Sequence, residues 1–346
     1  MSTGTNTAPA CPEHGPPSDP GHRFCEVCGR DLVTGAARPA AVPPPDGRPA
    51  PPPWVSSRAP DGPCAGCGED ANGGSYCDHC GRRRSAGQDH AVLDLGAFAG
   101  ATDRGRRRYN EDALALGRAG AAHAAVVCDG VSTSTRADAA SHAAVEAGIA
   151  ALLAALTAGD PPETALADSA RAAAEAARKA AVPEDRETPP SCTYVAGVVT
   201  ADSVTVGWIG DSRGYWVGAE PGDAACLTVD DSVAGQVAAG RPVPVGAPAD
   251  PTSRALIRWL GADSSDAEPQ VVMVRPVRPG RLILCSDGLF HYFAAPEALA
   301  AAVAGLDGGP ASMARELTRL AVEAGGHDNI AVAILPVPER SSGGVT

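Results

Sequence analysis

Short apolar runs separated by turn-forming residues fill the chain after about residue 90. They read as strands over 192–200, 203–210, 213–218, 270–276, 281–286 and 330–337, and their spacing suggests hairpins rather than strand–helix–strand crossovers. Two stretches follow a different period. Over 136–157 the residues Val145, Ile149, Leu152, Leu153 and Leu156 fall on one stripe, which predicts an amphipathic helix. A second helix is expected from "GDPPET", with Asp160 as N-cap and Pro161 in the first turn, running to about Ala181 before Pro183. The pattern predicts an α+β chain of antiparallel sheets with helices packed outside. No apolar run approaches the roughly 20 residues that a membrane-spanning helix needs.

Three apolar runs share a further feature. "AAVVCDGVS" at 124–132 and "RLILCSDGLF" at 281–290 each place an Asp-Gly pair at or just past the end of the run, and "GGHDNIAVAIL" at 325–335 places Asp328 just before one. A fourth segment, "TDRGRRRYNEDALAL" at 102–116, sets Glu111 and Asp112 between an arginine cluster and an alternating apolar run. Carboxylates at the ends of rigid strands can converge on a hard divalent cation. A glycine directly after the aspartate lets the backbone come close and offer its carbonyl as a further ligand. Oxygen donors without a converging histidine favour Mg²⁺ or Mn²⁺ over Zn²⁺. Each Asp-Gly alone is also the commonest turn pair; the set of Glu111, Asp112, Asp129, Asp287 and Asp328 carries the expectation.

Upstream of residue 90 the composition changes. "CAGCGEDANGGSYCDHCG" at 64–81 holds two Cys-x-x-Cys pairs, Cys64/Cys67 and Cys77/Cys80, each followed by glycine. That spacing predicts a structural four-thiolate Zn²⁺ site. Cys11, His14, Cys25 and Cys28 form a second, looser set, in which His22 could replace His14. Two zinc-ribbon-like modules are expected, over 1–35 and 61–85, joined by a Pro-rich linker over 36–60 and holding one or two Zn²⁺ ions. A region over 90–338 would carry the chemistry, with a tail over 339–346. On this reading a chain beginning near Gln88 keeps the whole catalytic unit. The formal net charge of −13 argues against a nucleic-acid or membrane-surface partner. The beginning "MSTGTNTAPACPEHG" lacks the basic start and apolar stretch of a secretory signal, which points to the cytoplasm. The four later cysteines, Cys128, Cys192, Cys226 and Cys285, sit in apolar runs and read as small core residues.

The ordered set "RRRYNEDA", "VVCDGVS", "SCTYV", "WIGDSRGYW", "LTVDDS", "IRWLGAD", "LILCSDGL" and "GGHDNIAV" resembles the protein phosphatase type 2C (metal-dependent Ser/Thr phosphatase) family over about 250 residues. The resemblance implies a four-layer α-β-β-α sandwich, two antiparallel sheets flanked by helices. It implies hydrolysis of phosphoserine and phosphothreonine with two Mn²⁺ or Mg²⁺ ions, and therefore phosphoprotein substrates of Ser/Thr kinases. By motif, Asp129 would bridge both ions, Asp287 and Asp328 would complete one shell, and Glu111 with the Gly130 carbonyl would complete the other, with Asp112 behind them. Two ions about 3.5–4 Å apart activate a water for in-line attack on phosphorus. An arginine would clamp the phosphate. Counting back from Asn110 selects Arg107 and counting from Gly105 selects Arg108; Arg107 is the residue expected to hold the phosphate. Asp211 and Arg213 of "GDSRGYW" are expected to be structural, and 230–262 to form a flap beside the cleft.

Three departures accompany the resemblance. "VSTSTRAD" follows Gly130 where the family has Gly-Gly-His, "DDS" at 230–232 replaces Asp-His-Ser, and only Asp185 or Glu187 stands near the place of a third-metal aspartate. Two other readings compete: a weakly active or inactive phosphatase that binds phosphoproteins as a scaffold, and a zinc-ribbon nucleic-acid binder with a regulatory phosphatase region. The ribbons could also bind a protein partner.

Overall fold

Residues of the central strands are buried on both faces, and the architecture shows why. The computed structural model describes residues 53–58 and 89–337 other than 221, 265, 266 and 307, together with residues 12 and 32. The chain divides into two compact units, Met1–Pro51 and Pro52–Thr346, and every helix and strand named below belongs to the second. Its strands are β1 (Trp54–Ser56), β2 (His90–Asp94), β3 (Ala99–Asp103), β4 (Ala113–Ala119), β5 (Ala122–Cys128), β6 (Ser191–Cys192), β7 (Tyr194–Val199), β8 (Val204–Ile209), β9 (Arg213–Gly218), β10 (Ala224–Cys226), β11 (Leu260–Gly261), β12 (Gln270–Val274), β13 (Gly280–Cys285) and β14 (Ile330–Val337). The helices are α1 (Ala137–Ala158), α2 (Pro162–Lys179), α3 (Val233–Ala238), α4 (Asp287–Phe290), α5 (Pro296–Ala304) and α6 (Pro310–Ala324).

One sheet has the order β1-β4-β5-β7-β8-β12 and the other β10-β9-β13-β14-β3-β2. The strand pairs within both are antiparallel. Successive side chains of a strand point to opposite faces, and here each face meets a different core. Ala113 and Ala115 of β4 join α1 and α2 in the first core; Leu114 and Leu116 join Leu282, Leu284 and Leu335 of the opposite sheet in the second. On β13, Leu282 and Leu284 face the first sheet, while Ile283 and Cys285 pack with Leu299 of α5 and Met313 and Leu317 of α6 in the third core. Three cores make four layers, helices–sheet–sheet–helices. Covered on both faces, the inner strands lose the polar alternation of a half-exposed strand, and they appear in the sequence as continuous apolar runs.

Several expectations change. The sequence pattern predicted two helices; α5 and α6 supply the outer layer on the other side. Helix α2 begins at Pro162 with Pro161 at the N-cap position, so Asp160 does not cap it. Helix α1 is long and apolar enough to cross a membrane by length and composition, contrary to the reading of its run. It is instead packed through Val145, Ile149, Leu152 and Leu153 against the first sheet and α2. Its alanines let α2 come close: Ser169 donates to the Gly148 carbonyl at 2.8 Å and accepts from the buried Tyr194 hydroxyl at 2.7 Å.

The expected linker over 36–60 also changes. Trp54–Ser56 is a strand on the edge of the first sheet, in register with Gly117, Leu116 and Ala115 of β4. Residues 54–56 therefore belong to the sheet and not to a linker, and a chain beginning near Gln88 would lack β1. Three of the late cysteines are buried as expected and Cys226 is partly so, all as free thiols.

Candidate active site

The sequence-predicted carboxylates sit at the edges of the two facing sheets, and neutral side chains fix the backbone around each. Asp129 follows the last residue of β5. Its N–H donates to the Thr193 hydroxyl at 3.0 Å, and its carbonyl accepts from the Thr193 N–H at 2.8 Å. Thr193 in turn shares a 2.6 Å hydrogen bond with Ser212 of the "GDSRG" turn. Gly130 follows, and no larger residue fits: a Cβ there would lie 2.8 Å from both the Cβ and the carbonyl oxygen of Glu111 and 2.9 Å from the Ala137 Cβ. The missing side chain is what brings the Gly130 backbone against Glu111.

Glu111 is set by its own main chain. Its N–H donates to the Asn329 side-chain oxygen at 2.8 Å, and its carbonyl accepts from Ser141 of α1 at 2.5 Å. The Asn329 side-chain nitrogen donates at 2.8 Å to the carbonyls of Arg104 and Tyr109. One buried asparagine thus ties the arginine-rich loop to β14. Asp328, its neighbour, accepts the Asn329 N–H on one oxygen at 2.8 Å and pairs with Arg107 on the other at 2.6 Å. Arg107 also donates to the His327 carbonyl at 3.0 Å. Arg108 lies over the Tyr109 ring at 5.1 Å from its centroid, so it is Arg107 that turns toward Asp328. Asp287 opens α4, and its N–H reaches the Asp129 carboxylate at 3.4 Å.

The arrangement is strongly electronegative. Burial pushes the Asp112 carboxyl well above the usual carboxylate range, and Asp328 and Asp287 push it further. Burial also raises Asp129, with Asp112, Asp287, Asp211 and Asp328 adding to the effect. Asp287 is raised by burial and Asp328 against the opposing pull of Arg254 and Arg107. Five aspartates from five separate segments therefore feel one another's charge, which is the cost of gathering like charges out of water. Asp211, expected to be structural, is drawn into the same field: burial, then Asp287 and Asp230, push its carboxyl up to about 7. Its partner in the motif, Arg213, does behave structurally. It makes a two-pronged pair with Asp230 at 2.8 Å and lies over Phe290 at 3.9 Å.

Asp112 supplies a test of what the group accommodates. It is 1% exposed, and its Oδ2 has no hydrogen-bond partner among the described residues. A buried carboxylate oxygen left unpartnered is expensive, and so is the repulsion around it; a hard divalent cation relieves both. Among the described residues no three carboxylate, imidazole or thiolate side chains close on a single point. The fit is one of donor chemistry and placement, and on those grounds Mg²⁺ or Mn²⁺ suits the group.

Other expected residues lie elsewhere. Buried Asp185 accepts from Thr135 and Arg136, each at 3.0 Å, and from the Val182 N–H at 3.0 Å. It anchors the loop after Gly130 to the connection following α2, and Arg136, one of its partners, precedes α1 with a left-handed φ of 52°. That loop carries serine and threonine where a histidine was expected, and Ser134 and Thr135 spend their hydroxyls on the Val131 and Thr188 carbonyls. The expected zinc ligands Cys11, His14, Cys25, Cys28, Cys64, Cys67, Cys77 and Cys80 lie outside the described residues. Sequence reasoning missed Thr193, Ser212, Asn329 and Ser141, although the first three stand inside quoted motifs.

Known proteins give this geometry a context. A family model described as Protein phosphatase 2C matches residues 99–306. Among solved structures, the chain is similar to the PPM Ser-Thr phosphatase MsPP from Mycobacterium smegmatis in complex with cacodylate, at 30% identity and a TM-score of 0.52 over 70% of this chain and 99% of that one. It is similar to the catalytic domain of the serine threonine protein phosphatase PstP in complex with two manganese ions, at 27% identity and a TM-score of 0.50 over 71% and 99% of the two chains. The fold also matches the serine/threonine phosphatase Stp1 from Staphylococcus aureus, at 22% identity and a TM-score of 0.58 over 71% and 96%. Among curated proteins, none matches this chain in sequence.

The asparagine framework can be tested. Asn329→Ala removes three side-chain hydrogen bonds around Glu111 and the arginine loop. Groups that orient metal-holding residues are commonly worth about 10–100-fold in metal affinity or activity, so Asn329→Ala is expected to raise the Mn²⁺ concentration for half-maximal activity at least about tenfold. A titration indistinguishable from wild type contradicts the role given to Asn329.

Proposed function

The chain belongs to the protein phosphatase 2C family, and on that footing we propose that Glu111, Asp129, Gly130, Asp287 and Asp328 hold two Mn²⁺ or Mg²⁺ ions, with Asp112 behind them, for hydrolysis of phosphoserine and phosphothreonine in proteins. The chain is a metal-dependent protein serine/threonine phosphatase. The observation that carries the assignment of residues is that carboxylates from separate segments lie near enough to push up the Asp112 and Asp129 carboxyls together, with the Asp112 Oδ2 left unpartnered. The two manganese ions of the PstP catalytic domain support the same number here.

When bound, the pair of ions would lower the pKa of water and offset the charge of the phosphoryl oxygens. The protein's own residues do the positioning. Arg107, which pairs with Asp328, can present its planar guanidinium to two non-bridging phosphate oxygens. Arg254, which opposes the raised Asp287 carboxyl, adds positive charge from the expected flap. The strand ends that carry the aspartates are set in packed sheets, so the donor oxygens stay in place without bound substrate. Hydrolysis breaks the bond between phosphorus and the serine or threonine oxygen and releases inorganic phosphate and the hydroxyl side chain.

In the cell this enzyme would oppose Ser/Thr kinases. Its free thiols at Cys128, Cys192, Cys226 and Cys285 suit a reducing compartment such as the cytoplasm. The Cys-x-x-Cys pairs at Cys64/Cys67 and Cys77/Cys80 support a structural Zn²⁺ site upstream of the catalytic motifs, with a protein as its partner. Metal analysis of the intact chain checks the zinc assignment: about one or two Zn²⁺ per chain are expected, and none contradicts it.

The catalytic assignment has a direct assay. Phosphate release from p-nitrophenyl phosphate and from a phosphothreonine peptide is expected to require added Mn²⁺ or Mg²⁺. Asp287→Asn should lower it at least about a hundredfold, because the loss of one ligand charge removes an ion and the water it activates. Full activity in Asp287→Asn overturns the assignment.

A further inference from the structure

The strand β1 lies far upstream of the matched family region, which begins at residue 99, yet it touches the element that carries Glu111 and Asp112. Three features fix it there. Its ladder with β4 continues one residue past Ser56: the Ser57 N–H donates to the Leu114 carbonyl at 2.9 Å, and the Ser57 hydroxyl accepts the Leu114 N–H at 3.0 Å. Ser57 is 3% exposed, so this two-point clasp is shielded from water, where a lost partner is most expensive. At the other end, Trp54 packs on the first core beside Gly117 of β4; a Cβ at Gly117 would lie 3.1 Å from the Trp54 Cβ and would collide with Leu153 of α1. Between them, Glu146 of α1 accepts from the Ser56 hydroxyl at 3.0 Å and from Arg58 at 2.9 Å.

The clasp sits two residues from Asp112. Leu114 is the second residue of β4, and the buried Asp112 carboxylate and Glu111 leave the sheet just before it. The same helix that receives Ser56 and Arg58 through Glu146 holds the Glu111 carbonyl through Ser141. Residues Trp54–Arg58 therefore grip both elements that place Glu111 and Asp112, strand β4 and helix α1.

We propose that Trp54–Arg58 is a positioning strap for the metal site, with Ser57 as its central residue, so that this phosphatase is completed by residues outside the region it shares with its family. The inference rests on the reading of Glu111 as a metal ligand backed by Asp112. It has a consequence for the cysteine-bearing chain between the strap and β2. That chain, residues 59–88, leaves from the edge strand of one sheet and returns at the edge strand of the other. On this proposal the catalytic unit begins with the strap, before the cysteine-bearing residues in the chain rather than after them.

The test is Mn²⁺ affinity, measured by calorimetry on the full chain without substrate and well below the unfolding temperature. Ser57→Ala removes the acceptor for the Leu114 N–H and keeps the backbone bond. It is expected to weaken Mn²⁺ binding about three- to tenfold, at or below the low end of the roughly 10–100-fold that direct hydrogen-bond partners of metal ligands contribute, because Ser57 acts one step further out. Ser57→Thr, which restores the hydroxyl, should return the affinity to within about twofold. Wild-type affinity in Ser57→Ala overturns the proposal, as does a loss that Ser57→Thr fails to recover. If Ser57→Ala does not fold, Glu146→Ala takes its place, since it frees Ser56 and Arg58 without touching the buried clasp. A weakening of at least about twofold in Glu146→Ala supports the strap and an unchanged affinity overturns it. Absence of Mn²⁺ binding in the wild-type chain is a different result: it overturns the two-metal reading on which the strap depends.

Discussion

Mutual repulsion among buried aspartates is the constraint that the rest of this structure answers. Burial and the charges of neighbouring aspartates, Asp328 among them, raise the carboxyls of Asp112, Asp129, Asp211 and Asp287, and left to themselves such groups would move apart or take up protons. They stay because their backbones are held. Thr193 and Ser212 fix Asp129, Asn329 and Ser141 fix Glu111. These bonds engage main-chain groups and leave carboxylate oxygens available, most plainly the Oδ2 of Asp112. The folded chain thus stores an electrostatic cost that a divalent cation repays.

The four-layer packing makes that possible. A strand end can carry an unfavourable charge if the strand itself is immobile, and the inner strands here are packed on both faces. Two facing sheets bring strand ends from distant segments to one edge: β5 and β4 from one sheet, β13 and β14 from the other. The positive charge needed to balance the cluster comes from two places. Arg107 pairs with Asp328 directly, and Arg254 acts from the stretch expected to form a flap. The bidentate Arg213–Asp230 pair, half a motif away from Asp211, braces the start of β9 under Phe290.

Much of this was legible because the chemistry needs particular residues at strand ends. Asp-Gly after "VVC" and "LILCS", and Asp-Asn before "IAV", stand out against apolar runs, and their order carried the family resemblance. Asp211 was not legible in the same way. It shares its motif with Arg213, whose ion pair with Asp230 is structural, and nothing local says that the neighbouring carboxylate lies within electrostatic reach of Asp129 and Asp287. Helix α5 hid for a related reason: "PEALAAAVA" is alanine-rich without a polar face to mark its period. Helix α6 did carry a period, with Met313, Leu317 and Ala321 buried and Arg315, Arg319 and Glu323 outside, and sequence reasoning missed it. Strand β1 was masked by composition, since Trp54–Ser56 follows a proline run, and its pairing with β4 is set by contacts some sixty residues away.

The proposed chemistry depends on two divalent ions shared by carboxylates from separate strand ends, with Asp129 common to both. Crystals of the protein grown with Mn²⁺, with diffraction recorded at the manganese absorption edge, locate the ions without reference to activity. Two anomalous peaks about 3.5–4 Å apart are expected, both next to Asp129, one flanked by Asp287 and Asp328 and the other by Glu111 and the Gly130 carbonyl. No peak at this edge of the sheets, or peaks that leave Asp129 without an ion, would contradict it.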